Sequence, residues 1–108
     1  MANPYAGEVA LTINGEPRIL KLTLGALATL EATLETDSLI ALVERFEGGG
    51  YRARDVLFLI EAGLQGGGTP MSLASLAEAD FEGGPLAAAR AAAVLLARAF
   101  ALPPEVRS

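Results

Sequence analysis

The stretch "FEGGGYRARDVLFLIEAGLQGGG", residues 46–68, decides how the chain is divided. Two runs of three glycines bracket one apolar segment. Val56, Leu59, Ile60 and Gly63 fall on one helical face, and Leu57 and Leu64 widen it. The pattern predicts a helix over 53–65, with glycine stops in left-handed geometry on both sides. Glycine-rich turns ahead of helices also cradle phosphates, so the same residues raise a question of chemistry.

Residue types answer that question. A Walker loop ends in Gly-Lys followed by Ser or Thr. The one lysine is Lys21, in an expected strand, and no strand precedes "GGGYRARD". The G-x-G-x-x-G spacing of dinucleotide loops is absent as well. The glycine runs therefore read as hinges beside a packing helix, whose mobility would let an apolar face open to a partner.

Toward the N-terminus, "GEVALTINGEPRILKLTL" (7–24) reads as a β-hairpin. Asn14–Gly15 is a strong type I′ turn signal, because both turn positions need positive φ. A two-residue loop sets the register: Ile13 opposite Glu16, Leu11 opposite Arg18, Val9 opposite Leu20. Ala10 then faces Ile19, and Glu8 faces Lys21. Val9, Leu11, Leu20 and Leu22 make one apolar face, which must pack on helices because a lone hairpin is marginal. Pro17 lacks an N–H, so its strand should lie at an edge there.

Four more helices are expected. Thr23 caps the first, from Leu24 to about Glu35, with Leu27, Leu30 and Leu34 as its stripe. Ser38 caps the second, which reaches about Glu47 and carries Leu39, Leu42, Val43 and Phe46. A short helix covers about 72–79. The last begins with Pro85 and reaches about Ala101, before Pro103–Pro104. Its wide, alanine-rich arc (Leu86, Ala89, Ala92, Ala93, Leu96, Ala99, Phe100) implies close contact on more than one side. That helix is expected at the domain centre or in a subunit interface. The fold class is α+β, mostly helical: a single domain over 1–108, with the hairpin at 7–24 packed on four to five short helices in a bundle at 24–101. Short flexible termini are expected.

Composition narrows the function. Cys, His and Trp are absent. Thiol chemistry, disulfides, the commonest general base and the commonest transition-metal ligand go with them. Net charge is −5, which disfavours a nucleic-acid partner. Ser38, Ser72 and Thr23 stand where helix caps belong, which explains them without catalysis, and with no His no base is at hand to activate a hydroxyl. Glu31 with Glu35, Glu44 with Glu47, and Glu78, Asp80 and Glu82 read as solvated rims. They form neither an acid–base pair nor a calcium loop. No catalytic residue, cofactor or metal is expected.

The first residues lack the basic start and apolar run of a signal peptide. Arg90 and Arg98 interrupt the most apolar stretch, so no membrane span is expected and the reading is a cytoplasmic protein. Yet 52% of residues are hydrophobic and only 19% charged, which implies apolar surface shared with a partner or a second copy. Ile40, Tyr51 and Phe58 lie off the main stripes. With Leu86, Ala89, Ala93, Leu96 and Phe100 they are the candidate partner-binding residues.

"GEVALTINGEPRILKLTLGALATLE", "RFEGGGYRARDV" and "EGGPLAAARAAAVLLARAF" together resemble the small proteins of alphaproteobacterial gene transfer agents. That family is grouped with phage tail assembly chaperones and has also been labelled tail tube proteins. The resemblance runs from Gly7 to Phe100. It implies a part in tail building, with the tail tape-measure protein or tail tube subunits as partners and no catalytic residues. Tube subunits of the usual phage type are β-rich and close into rings by sheet augmentation. One hairpin among helices fits a chaperone better.

Overall fold

The computed structural model describes residues 7–34 and 38–100. Strands β1 (Val9–Ile13) and β2 (Glu16–Leu20) form the hairpin. Helices α1 (Leu24–Leu34), α2 (Leu39–Gly48), α3 (Ala53–Gly67), α4 (Leu73–Ala77) and α5 (Gly84–Phe100) follow. The architecture is α+β and mostly helical. Glu35, the break at 36–37 and the C-terminal prolines lie outside the described residues.

The hairpin register is the one the turn demands. Val9 pairs with Leu20, Ala10 with Ile19, Leu11 with Arg18, and Ile13 with Glu16. Asn14 and Gly15 take φ of 54° and 80°, as a type I′ turn requires. β2 ends at Leu20, so Lys21 lies just past the strand rather than in it. The caps also fall where expected. Thr23 Oγ1 accepts from Ala26 N–H, Ser38 Oγ from Ala41 N–H, and Ser72 Oγ from Ser75 N–H. Each satisfies one amide that the first helical turn leaves without a partner.

An isolated bridge borders the turn end of β1, and nothing in the sequence pattern announced it. Asn14 N–H donates to the Asp80 carbonyl, Glu82 N–H donates to the Thr12 carbonyl, and Ile13 bridges to Phe81. The Asn14 side chain accepts from Asp80 N–H. The acidic turn is solvated, as its composition suggests, but its backbone also bonds to the turn end of β1. Because the Thr12 carbonyl points toward Glu82, the Thr12–Pro17 pair exchanges no hydrogen bond. Pro17 therefore presents its N–H-less nitrogen to the outer edge of β2.

The centre of the domain is α3, which packs against α1, α4, α5 and β2. That replaces the expectation that the alanine-rich helix holds the centre. Leu59, Ile60 and Leu64 are fully buried with Leu20, Leu30, Leu42, Leu76 and Leu95. α5 supplies one wall, burying Ala88, Ala92 and Leu95 while Leu86 and Phe100 stay exposed. At the far end of α5, Arg98 donates to the Glu8 carbonyl and ties the helix to the start of the hairpin.

The second glycine run has a different role from a hinge. α3 continues through Gly66 and Gly67, and only Gly68 takes the left-handed cap at φ 93°. A Cβ at Gly66 would sit 1.9 Å from the Lys21 carbonyl oxygen, and one at Gly67 1.9 Å from that of Ile19. Gly63 meets Leu95 and Leu20 at about 3 Å in the same way, and its carbonyl accepts from Lys21 N–H at 2.9 Å. These glycines let the outer edge of β2 lie directly on the helix backbone. Strand and helix meet there as a fixed contact.

Candidate functional site

The first glycine run does end a helix. Gly49 is the left-handed cap of α2 at φ 78°, and both Gly49 and Gly50 donate to the Arg45 carbonyl. The reversal brings Arg45, in the last turn of α2, onto Asp55, in the first turn of α3. Arg45 Nε and Nη2 each donate to an Asp55 carboxylate oxygen at 3.0 Å. Arg52 N–H donates to the same carboxylate at 2.8 Å and the Arg52 guanidinium at 3.4 Å. Asp55 is the only buried charged side chain among the described residues. Burial alone would raise its pKa. The hydrogen bonds from Arg45 and Arg52 outweigh that and hold the carboxyl below the usual aspartate value. The group stays ionised as a corner brace, with its lone pairs taken by structural donors.

Sequence reasoning missed this brace. One signal was present: an Asp three residues after the start of a helix, which accepts from the N-cap amide. Its second partner lies ten residues upstream, and only the left-handed turn at Gly49 brings it close.

Tyr51 immediately precedes Arg52 of the brace. The Tyr51 ring stacks on Phe46 with centroids 4.6 Å apart and planes within 8°. On either side of this pair an apolar hollow runs along α5. The larger, about 540 Å³, lies between α3, α4, the 79–81 segment and the start of α5. Tyr51, Val56, Leu76, Phe81, Leu86 and Ala89 line it. The smaller, about 280 Å³, lies between α2 and the end of α5, walled by Val43, Phe46, Ala93, Leu96 and Phe100. Glu47 is the one charged residue lining either hollow.

Six of the eight residues singled out from the sequence therefore meet along one side of α5. Tyr51, Leu86 and Ala89 belong to the larger hollow; Ala93, Leu96 and Phe100 belong to the smaller. Leu86 is 63% exposed and Phe100 48%, while Ala89 and Leu96 are buried floor. Two stand apart. Ile40 is 69% exposed on α2 and lines neither hollow. Phe58 is half-buried against the core, with the Arg54 guanidinium 5.8 Å above its ring. Val56, Leu76 and Phe81 were not singled out. Val56 reads as an ordinary stripe residue, and Leu76 falls in the short helix expected over 72–79.

Among the described residues, no group of three or more His, Cys, Asp or Glu is placed to hold a metal ion. No helix there is long and apolar enough to cross a membrane. What the arrangement offers is apolar concave surface with few polar groups, suited to binding another polypeptide.

The family model described as "Phage tail tube protein, GTA-gp10" matches residues 6–102, and the chain belongs to that family. No curated protein and no solved structure matches the chain. Membership points to a role in building a phage-like or gene transfer agent tail, in contact with other tail proteins.

Proposed function

We propose that this tail protein is a non-catalytic assembly chaperone. It binds apolar helices of the tape-measure protein in the cytoplasm and keeps them soluble until tube subunits assemble around them. The observation that carries this reading is the apolar, concave side of α5, with Leu86 and Phe100 left in solvent. Exposed apolar surface of that extent is costly unless a partner covers it. No chemistry is proposed, because the one buried charge among the described residues is engaged by Arg45 and Arg52.

A tube subunit is the second reading, and the family's description as a tail tube protein favours it. The hairpin edges weigh against it. The outer edge of β2 lies against Gly63, Gly66 and Gly67, and the turn end of β1 is taken by residues 80–82. Ring closure by sheet augmentation needs a free edge.

Co-expression with the cognate tape-measure protein tests the first reading. A soluble complex that dissolves into aggregate when this chain is omitted is the expected result. A tape measure equally soluble alone would overturn it. Mass spectrometry of purified particles separates the two readings: stoichiometric presence belongs to a tube subunit, absence to a chaperone.

A further inference from the structure

The two hollows share one face of α5. Leu86, Ala89, Ala93, Leu96 and Phe100 follow one another at spacings of three or four, so they form one stripe. At about 1.5 Å per residue the stripe is about 20 Å long, or four turns. The stacked Phe46–Tyr51 pair stands where the hollows meet, with Phe46 in one wall and Tyr51 in the other. The floor between the two exposed ends is Ala89, Ala93 and Leu96, and its two alanines let a guest backbone approach closely. The ends carry the large side chains Leu86 and Phe100, placed as anchors.

Charge narrows the guest. Glu47 lines the smaller hollow, and exposed Glu44 lies one turn before it. At the larger hollow the lining residues Ala77, Ala79 and Phe81 alternate with exposed Glu78 and Asp80. Of the nearby cations, Arg52 is engaged with Asp55 and Arg54 lies over Phe58. Exposed Arg90, one turn after Leu86, lines the separate hollow against β1, and the carboxylates of Glu44, Glu47, Glu78 and Asp80 outnumber it. A second copy of the chain would bring the same concave hollow and the same carboxylates, in a molecule of net charge −5. Neither shape nor charge would match.

We infer that the two hollows form one seat for a single amphipathic helix of another protein, about four turns long, whose apolar stripe is bordered by Lys and Arg. This rests on the reading of the chain as a binder of apolar helices, and adds where the helix sits and what flanks it must carry.

The test uses the full chain and two synthetic helical peptides of about four turns each. Both have leucine on one face; one is flanked by lysine and the other by glutamate. Calorimetric titration should show the lysine peptide binding at least about tenfold tighter, with the gap narrowing as salt rises. Leu86→Glu and Phe100→Ser lie at exposed positions. Each should weaken binding about tenfold or more while leaving the thermal melt unchanged. Equal binding of the two peptides, binding of neither, or full binding by the double variant would overturn the inference. Co-purification with the tape measure keeps the two proposals apart. If the double variant still retains the tape measure, this seat is wrong and the chaperone reading stands. If the chain binds the lysine peptide but ignores the tape measure, the seat stands and the chaperone reading falls.

Discussion

Replacing Gly66 or Gly67 by alanine tests the central contact of the fold. On helix propensity alone, alanine inside α3 is favourable by about 1 kcal/mol. The tertiary contact opposes it. The new methyl would sit 1.9 Å from a carbonyl oxygen of β2, the Lys21 carbonyl for Gly66 and the Ile19 carbonyl for Gly67. That atom belongs to backbone and cannot rotate aside, so β2 must retreat by roughly 1 Å or more. Overpacking of this kind costs about 1–3 kcal/mol, occasionally more. The 2.9 Å bond from Lys21 N–H to the Gly63 carbonyl is stretched at the same time, at about 1 kcal/mol. Net destabilisation of about 2 kcal/mol is expected for either variant, or a Tm lower by about 8–15 °C for a domain of this size. Gly48→Ala is the internal control. Gly48 also lies in a helix and in a glycine run, but nothing approaches its added Cβ within 4 Å. It should be neutral or stabilise by up to about 1 kcal/mol. Far-UV circular dichroism melts of the three variants read the difference. If Gly66→Ala and Gly67→Ala melt at or above the wild-type temperature, the glycines are simple stops and the strand–helix contact has been misread.

Asp55→Ala should cost about 3–5 kcal/mol, because it strands the Arg45 guanidinium against a buried site; urea unfolding measures it. The pH dependence has a definite sign. The folded carboxyl titrates below its unfolded value, so its contribution is full above the ordinary aspartate pKa and is lost as pH falls through the depressed one. Asp55→Asn should therefore flatten the acid limb of the stability profile; an unchanged limb would exclude the brace. Asn14→Ala removes both the positive-φ turn residue and the acceptor for Asp80 N–H, and should lose about 1–2 kcal/mol by the same unfolding assay. Tyr51→Ala should cost only about 0.5–1.5 kcal/mol of stability through the lost stacking on Phe46. A larger drop in its melting temperature would mean that the ring supports the core.

What the sequence determined by itself is what a residue settles with its near neighbours. Asn14–Gly15 dictated the turn, and the turn dictated which residue of β1 faces which residue of β2. Thr23, Ser38 and Ser72 dictated helix starts, because a hydroxyl three residues ahead of an unpaired amide completes a local bond. The stripe on α5 was also legible, since a period of three to four is visible in one dimension. Only the tertiary structure decided the meaning of the glycines. Gly49 and Gly68 are left-handed caps, whereas Gly66 and Gly67 are helical and small because a strand more than forty residues upstream in sequence lies on them. The Arg45–Asp55 brace and the isolated bridge at 80–82 have the same origin. Each joins groups whose spacing follows no helical or strand period, so chain reversal and packing alone bring them together. The hollows along α5 follow suit. The stripe was in the sequence, but whether neighbouring elements cover it or leave it open depends on where α2, α3 and α4 come to rest.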